Sequence, residues 1–560
     1  MKILLAAINS KYIHSNPAVY SLKASSLDYS SYIKIREFTI NNLKEEILRE
    51  IYKERPDVLC FSVYIWNVEY VNAISREFSK LCPDIPIWTG GPEVSYECED
   101  YLNNHPWIKG IVIGEGEETF KEICRCYVNH DESDLFNVKG LAIRNGEKII
   151  FTGIRDNLDL NTLPFAYNEE TDFENRIIYY ESSRGCPFSC SYCLSSVEKK
   201  LRFKDFLKVK EELKFFLDRK VPQVKFVDRT FNCDHKHAMS IWQFIYENDN
   251  GITNFHFEIS ADLLNEDELS LLSKMRPGLV QLEIGVQTVN PDTVKEIHRS
   301  MNLDKLKENV KRIQAGGNIH EHLDLIAGLP YENPESFKHS FDEIYALKAE
   351  QLQLGFLKVL KGSYMYEHKD EYGLIYNDTP PYEVMSTKWL SFEDVLALKR
   401  VEEMLEVYYN SGQFVTTMKL LETGYPSAYE MYEKLGKFYE ENGLLSISHS
   451  RIKRYEILND FIEQENFSES EKEALKEAMV FDVYERENAK TRPSFADDYS
   501  KWKDVSGKVV KNGKLSHVER FNYIFPERSE RTIKAIPERT ALPVYCLFDY
   551  ERKEIRYIEP

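Results

Sequence analysis

The 560 residues hold 72 Lys and Arg against 92 Asp and Glu, a formal net charge of −20, with 42% hydrophobic and 29% charged residues. This is the balance of a globular chain with ample core. The charge argues against broad contact with a nucleic-acid backbone, and no apolar run reaches the roughly 18–20 residues a membrane span needs. Ten cysteines in so long a chain favour metal ligation in a reducing cytoplasm over disulfides, and Met1–Ile8 runs straight into polar Asn9-Ser10-Lys11, unlike a secretion signal.

Residues 1–152 alternate short apolar runs with amphipathic stretches. Ile3–Ile8, Ile33–Phe38, Val58–Val63, Ile85–Trp88 and Ile111–Ile113 read as strands, the apolar ones as buried parallel strands. Pro17–Leu27 and Asn42–Tyr52 read as helices, the first with Pro in its opening turn. Asn145-Gly146 marks a hairpin turn between Gly140–Arg144 and Lys148–Phe151. The pattern predicts a doubly wound α/β domain, whose ligands sit at the carboxyl ends of its strands. Those ends carry Asn9–Pro17, Ser62–Asn67, Thr89–Val94 with Gly90-Gly91, and Gly114–Phe120. Paired glycines let a large ligand approach the backbone, and free amides and hydroxyls suit a phosphate or nucleotide tail.

Residues 153–172 read as a linker, with Leu163-Pro164-Phe165 as a docking point. Residues 173–362 begin a second β/α series. Its strands are expected at Ile177–Glu181, Val224–Val227, Phe255–Ile259, Leu279–Ile284, His322–Ile326 and Leu352–Leu357, a partial (β/α)6 barrel with its chemistry at the carboxyl face. After the first strand comes Glu181-Ser-Ser-Arg-Gly-Cys-Pro-Phe-Ser-Cys-Ser-Tyr-Cys193, which sets Cys186, Cys190 and Cys193 in a CxxxCxxC array. Three thiolates cannot close a tetrahedral zinc site. They can hold three irons of a [4Fe–4S] cubane and leave the fourth open, free to chelate the amino and carboxylate groups of S-adenosylmethionine (SAM).

With Arg184-Gly185 ahead of it and Tyr192 inside it, this array resembles the radical SAM superfamily. A strand-end loop set ahead of that motif resembles the cobalamin-binding domain of cobalamin-dependent radical SAM enzymes. The resemblance implies three cofactors: a [4Fe–4S] cluster on Cys186, Cys190 and Cys193, SAM and cobalamin. It implies a SAM pocket at Tyr192, Asp228, Glu258, Ser260, Glu283 and Gln287, and a cobalamin site at Ser10, Tyr12, Ser62, Tyr64, Asn67, Gly90, Gly91, Pro92, Glu93, Glu115 and Gly116. The chain has no Asp-x-His-x-x-Gly motif, so the lower cobalt ligand stays open; His14 reads as a hydrogen-bonding loop residue. The implied chemistry is reductive cleavage of SAM to a 5′-deoxyadenosyl radical, then methyl transfer from methylcobalamin to an unactivated carbon. A flavodoxin or ferredoxin would supply the electrons.

Residues 363–560 read as a mainly helical extension, with helices at Phe392–Asn410, Met418–Gly424, Ala428–Asn442, Ile452–Ile462 and Ser470–Met479, closed by a hairpin of Val544–Tyr550 and Glu554–Ile558. It carries no motif that names a substrate. Residues 501–560 hold 13 Lys and Arg against 9 Asp and Glu, too small an excess to specify an anionic partner. Three alternatives stay open: radical rearrangement or cyclisation without methyl transfer, a methylthiotransferase-like RNA modification needing a second cluster, and a non-catalytic cobalamin-binding or redox-sensing module.

Overall fold

The computed structural model describes residues 1–168, 171–504, 515–525, 532, 533 and 535–558. The first unit runs β1 (Ile3–Asn9), α1 (Pro17–Ser25), β2 (Ile33–Thr39), α2 (Lys44–Glu54), β3 (Val58–Ser62), α3 (Val68–Leu81), β4 (Ile87–Gly90), α4 (Cys98–Asn104), β5 (Gly110–Val112), α5 (Glu117–Val128), β6 (Leu141–Asn145) and β7 (Lys148–Phe151). One sheet takes all seven strands in the order β2-β1-β3-β4-β5-β6-β7. Neighbours through β5 are parallel, and β6 and β7 close it as an antiparallel hairpin. Every residue of β1 is buried, as a strand covered on both faces by helices requires. Two apolar clusters pack on the two faces of this sheet.

The second unit opens with β8 (Ile177–Tyr180) and a small ladder of β9 (Ser183–Arg184) with β10 (Arg202–Phe203). It continues α6 (Phe206–Asp218), β11 (Gln223–Phe226), α7 (His235–Glu247), β12 (Asn254–Ile259), α8 (Glu266–Leu272), β13 (Val280–Gln287), α9 (Pro291–Glu296), α10 (Leu303–Gly316), β14 (His320–Ala327), α11 (Pro334–Tyr345) and β15 (Gln351–Phe356). All six long strands pair in parallel, in the order β15-β14-β13-β12-β11-β8, so the barrel is open between β15 and β8. Burial alternates along β13 and β14. Val280, Leu282, Ile284 and Val286 face the helices, while Gln281, Glu283, Gly285 and Gln287 face the lumen.

After α12 (Tyr364–Glu367) and the two-stranded β16 (Ile375–Tyr376) and β17 (Val384–Ser386) come α13 (Phe392–Leu405), α14 (Val415–Leu421), α15 (Ala428–Glu441), α16 (Arg451–Gln464) and α17 (Glu469–Arg486). The expected terminal hairpin, β19 (Val544–Asp549) with β20 (Glu554–Ile558), gains a third strand, β18 (Ser516–Phe521). Helix α17 outruns its expected end at Met479, because Val480, Phe481, Val483 and Tyr484 continue its buried side. The C-terminal helices share one core with the barrel. A π-helical turn, Glu406–Asn410, follows α13 and aims Asn410 at the barrel's open edge. The Asn410 amide donates to the Leu352 carbonyl at 2.9 Å and accepts from the Leu352 N–H at 3.0 Å, as a neighbouring strand would.

The two units dock closely. The loop after β1 forms a strand-like bridge, His14 to Ile177 on edge strand β8. Ion pairs tie Glu37 to Arg176 at 2.8 Å, Glu97 to Lys361 at 2.8 Å, and Glu115 and Glu117 to Arg184 at 3.2 and 2.7 Å. Among the described residues, every ion pair joining residues 1–152 to those after 172 has its carboxylate on the first unit. No helix among them is long and apolar enough to cross a membrane.

Candidate active site

A cavity of about 970 Å3 lies on the seam between the units. Its first wall is the carboxyl ends of β3, β4 and β5; its second is the end of β8, the stretch after the cysteines and the loop after β11. Of the residues expected to bind cobalamin, Ser62, Tyr64, Gly90, Gly91, Pro92, Glu115 and Gly116 line it. Gly91 has φ +120°, and a Cβ there would stand 2.4 Å from the Val63 carbonyl oxygen. Gly114 and Gly153 also line the cavity, and a Cβ on either would meet nothing within 4 Å. The wall is therefore bare backbone with open space before it, which fits a large flat ligand.

Four of the expected residues lie elsewhere. Ser10 and Tyr12 belong to the loop that docks on β8, so that loop makes an interface rather than a ligand wall. Tyr12 instead lies under the Arg176 guanidinium, 5.1 Å from its ring centroid. Asn67 is fully buried and bonds Ile8 O, Ser62 O and Tyr64 N–H at 2.8–3.0 Å, bracing the strand ends. Glu93 accepts from the Tyr382 hydroxyl, which fastens the loop after β4 to the C-terminal region. His14 bonds the Tyr179 hydroxyl at 2.8 Å and is not in the cavity wall.

The cysteine loop occupies the carboxyl end of β8. Gly185 turns it, with φ +97° and a prospective Cβ 2.5 Å from the Lys200 carbonyl oxygen, so only glycine fits. Ser191 bonds Ile297 O and receives Met365 N–H, both at 2.9 Å, which fixes the loop from two sides. Burial raises the pKa of the Cys186 thiol, and Cys193 and Cys190 add to this. Among the described residues no three His, Cys, Asp or Glu side chains gather closely enough to hold one metal ion. Thiolates on one ion stand about 3.8 Å apart, given bonds of about 2.3 Å. Three thiolates on one loop are the donors that three irons of a cubane take, one each. Leu194 and Ser195, directly after Cys193, line the cavity, so the loop abuts it.

The lumen beyond is polar. Glu283 accepts from Lys225 and from His256, each at 2.9 Å. Burial would raise its pKa, but these two partners hold it down to about 2. Glu258 stands 3.9 Å from both Lys225 and Arg229. Two expected SAM ligands are spent on the scaffold. Asp228 is fully buried and accepts from Ser182 N–H, Ser182 Oγ and Ser183 Oγ at 2.5–2.9 Å, which locks the end of β8. Ser260 Oγ donates to Asp262 at 2.7 Å in its own loop, and the Ser260 N–H donates to Asn232 Oδ1, in the loop after β11, at 3.0 Å.

Asp324, in the strand-end segment Asp324–Pro330 that resembles one recurring in the superfamily, and Arg299, which was not anticipated, stand at the centre. Arg299 donates to Gly285 O at 2.6 Å, to the Tyr192 hydroxyl at 3.2 Å and to Cys190 Sγ at 3.8 Å. Asp324 is paired across the sheet with Gly285, and burial, with Glu283 and Glu258 adding, pushes its carboxyl up to about 8. Gln287 Oε1, Arg299 Nε and Asp324 Oδ1 are buried with no hydrogen-bond partner among the described residues. A Cβ on Gly285 would meet Gln287 Nε2 at 2.4 Å and Arg299 Nη2 at 3.4 Å, so all three groups surround one glycine in the lumen. Unfilled buried polar atoms of this kind fit a polar ligand. Asp324 was legible as a polar residue on the lumen side of an alternating strand; nothing local marked Arg299.

Residues 3–124 match the B12 binding domain, residues 180–344 the Radical SAM superfamily, and residues 370–543 a protein of unknown function family, DUF4080. The chain thus carries a B12-binding domain followed by a radical SAM domain. Such domains use cobalamin, and a [4Fe–4S] cluster with SAM. Over 317 residues it is 28% identical to 2-(S-pantetheinyl)-carbapenam-3-carboxylate methyltransferase of Streptantibioticus cattleyicolor, covering 50% of this chain and 44% of that one. Over 346 residues it is 26% identical to the cobalamin-dependent radical SAM methyltransferase TokK of Streptomyces tokunonensis, covering 57% and 50%. It thus spans about half the length of these curated relatives. The structure of the cobalamin-dependent S-adenosylmethionine radical enzyme OxsB shares the fold, with TM-score 0.56 and 15% identity over 90% of this chain and 80% of that one.

Proposed function

We propose that this protein is a cobalamin-dependent radical SAM methyltransferase acting at an unactivated carbon. When bound, the cluster and SAM supply hydrogen-atom abstraction and cobalamin supplies the methyl group. The observation that carries the reading is the shared cavity: the strand ends of the B12 domain and the loop beside the cysteines are walls of one space. A radical made beside the cysteines is then next to the methyl donor and shielded from water.

In this reading Cys186, Cys190 and Cys193 hold the cluster. Arg299 donates to Cys190 Sγ and so ties the cysteine loop to the lumen. Gln287, Arg299 and Asp324 hold the polar groups of SAM, with Tyr192 positioned by Arg299 and Glu258 facing the lumen. A carboxyl with its pKa near 8 enters the site protonated, so Asp324 can donate as well as accept. Ser62, Tyr64, Gly90, Gly91, Pro92, Gly114 and Gly116 form the corrin wall.

The test is anaerobic reconstitution with iron, sulfide and cobalamin, followed by product analysis with SAM and a reductant. The reading expects both chromophores, with 5′-deoxyadenosine and S-adenosylhomocysteine formed together. Changing Cys186, Cys190 and Cys193 to Ala should abolish the cluster absorbance and leave cobalamin bound. 5′-Deoxyadenosine without S-adenosylhomocysteine would sink methyl transfer, and loss of both chromophores in the triple variant would sink the division of labour between domains.

A further inference from the structure

We propose that Arg229 is the anchor for the substrate: a carboxylate or phosphate carried by the substrate pairs with its guanidinium, at the boundary between the cavity and the barrel lumen. This rests on the function proposed above, because the substrate must lie between the two cofactors.

Position comes first. Arg229 belongs to the loop after β11 and lines the cavity. The hydroxyl of the next residue, Thr230, is 4.0 Å from Cys186 Sγ. Arg229 Nη1 is 3.9 Å from Glu258 in the lumen, and Tyr64 of the B12 domain lines the same cavity as Arg229. Arg229 therefore touches both compartments.

Availability comes second. Its side chain is 55% exposed, and 3.9 Å to Glu258 is too long for a hydrogen bond. None of its five N–H donors has an acceptor among the hydrogen bonds of the described residues. The carboxylates of the same wall are already taken: Glu117 and Glu181 by Arg184, Glu198 by Arg202, and Glu115 by both. In a chain of net charge −20 this leaves a planar cation facing the reaction space with no hydrogen-bond acceptor and, among the described residues, only a 3.9 Å ion pair to Glu258. A guanidinium fork matches an oxyanion in a bidentate manner.

The orphaned atoms assigned to SAM surround Gly285, two strands away from β11 in the sheet. Arg229 is outside that group. A cationic or neutral substrate would find its match in Glu258, not in Arg229.

The experiment maps arginine modification by p-hydroxyphenylglyoxal, with peptide mass spectrometry, on anaerobic enzyme carrying cluster, cobalamin and SAM. Spectra taken first establish that the cofactors are loaded; if they fail to load, the functional proposal fails before this one is tested. Arg229 should be modified as fast with cofactors as without them. Inorganic phosphate or benzoate at ten times its dissociation constant should then slow it about tenfold, while chloride at equal ionic strength should not. The Arg229→Gln variant should keep both chromophores and lose the protected peptide. Shielding of Arg229 by cobalamin or SAM alone would overturn the proposal by making it a cofactor ligand. Equal protection by chloride, or none by either oxyanion, would overturn it too.

Discussion

At the residue scale, the same side-chain types serve as ligands or as scaffold according to what their neighbours leave free. Asp228 is fully buried with three donors within hydrogen-bond distance, whereas Asp324 has a buried oxygen with no partner among the described residues. Gly91→Ala should cost about 1–3 kcal/mol through strain at its positive φ, and should lower cobalamin affinity as well; thermal melts and cobalamin titration check the two effects. A second buried carboxyl sets a pH dependence. Asp482 accepts from Thr416 N–H, Thr417 N–H and Thr417 Oγ1 at 2.9, 2.8 and 2.6 Å, closing the first turn of α14. Burial, with Glu485 adding, pushes it up to about 7, against about 3.9 in an unfolded chain. The folded state therefore binds the proton more tightly. Its contribution is fully present below pH about 4 and is lost as pH rises through 7. Asp482→Asn should flatten the fall in stability between those values, read as urea midpoints across the pH series.

At the element scale, the informative feature is the barrel's exposed edge. An open parallel sheet leaves β15 with unpaired backbone groups, which invite pairing with another chain. The π-helical turn after α13 answers this by presenting Asn410 to Leu352, and the Tyr409 hydroxyl adds a bond to Ala349 O. Asn410→Ala leaves a donor and an acceptor unmet and should cost about 1–3 kcal/mol. Denaturant unfolding measures the loss, and the oligomeric state of the variant reads any new edge pairing. The family match over residues 370–543 thus includes an element that finishes the barrel.

At the scale of the molecule, the two units meet through a charge-polarised interface. Glu37, Glu97, Glu115 and Glu117 face Arg176, Arg184, Arg202 and Lys361 around the seam. The pairs are partly buried and partly screened, so salt should loosen the docking. Arg176→Glu should weaken cobalamin retention, and Glu37→Arg in the same chain should restore part of it. Cobalamin off-rates at low and high ionic strength check both; unchanged off-rates would mean that the apolar contacts alone hold the units together.

Much of this architecture was legible locally. Two periodicities, 2 for strands and 3.6 for helices, located the β/α units of both sheets, and three cysteines within eight residues marked the loop proposed to hold the cluster. Those features depend on neighbours in the chain, so sequence alone determined them. Long-range pairing decided the rest. The loop after β1 looked like a ligand wall until β8 claimed it; Asp228 and Ser260 looked free until Ser182, Ser183, Asp262 and Asn232 consumed them. Arg299 became a site residue only because α9 returns its end to the cysteine loop. A side chain's availability depends on which donors and acceptors lie within about 3 Å of it, and that is settled by contacts between residues distant in the chain.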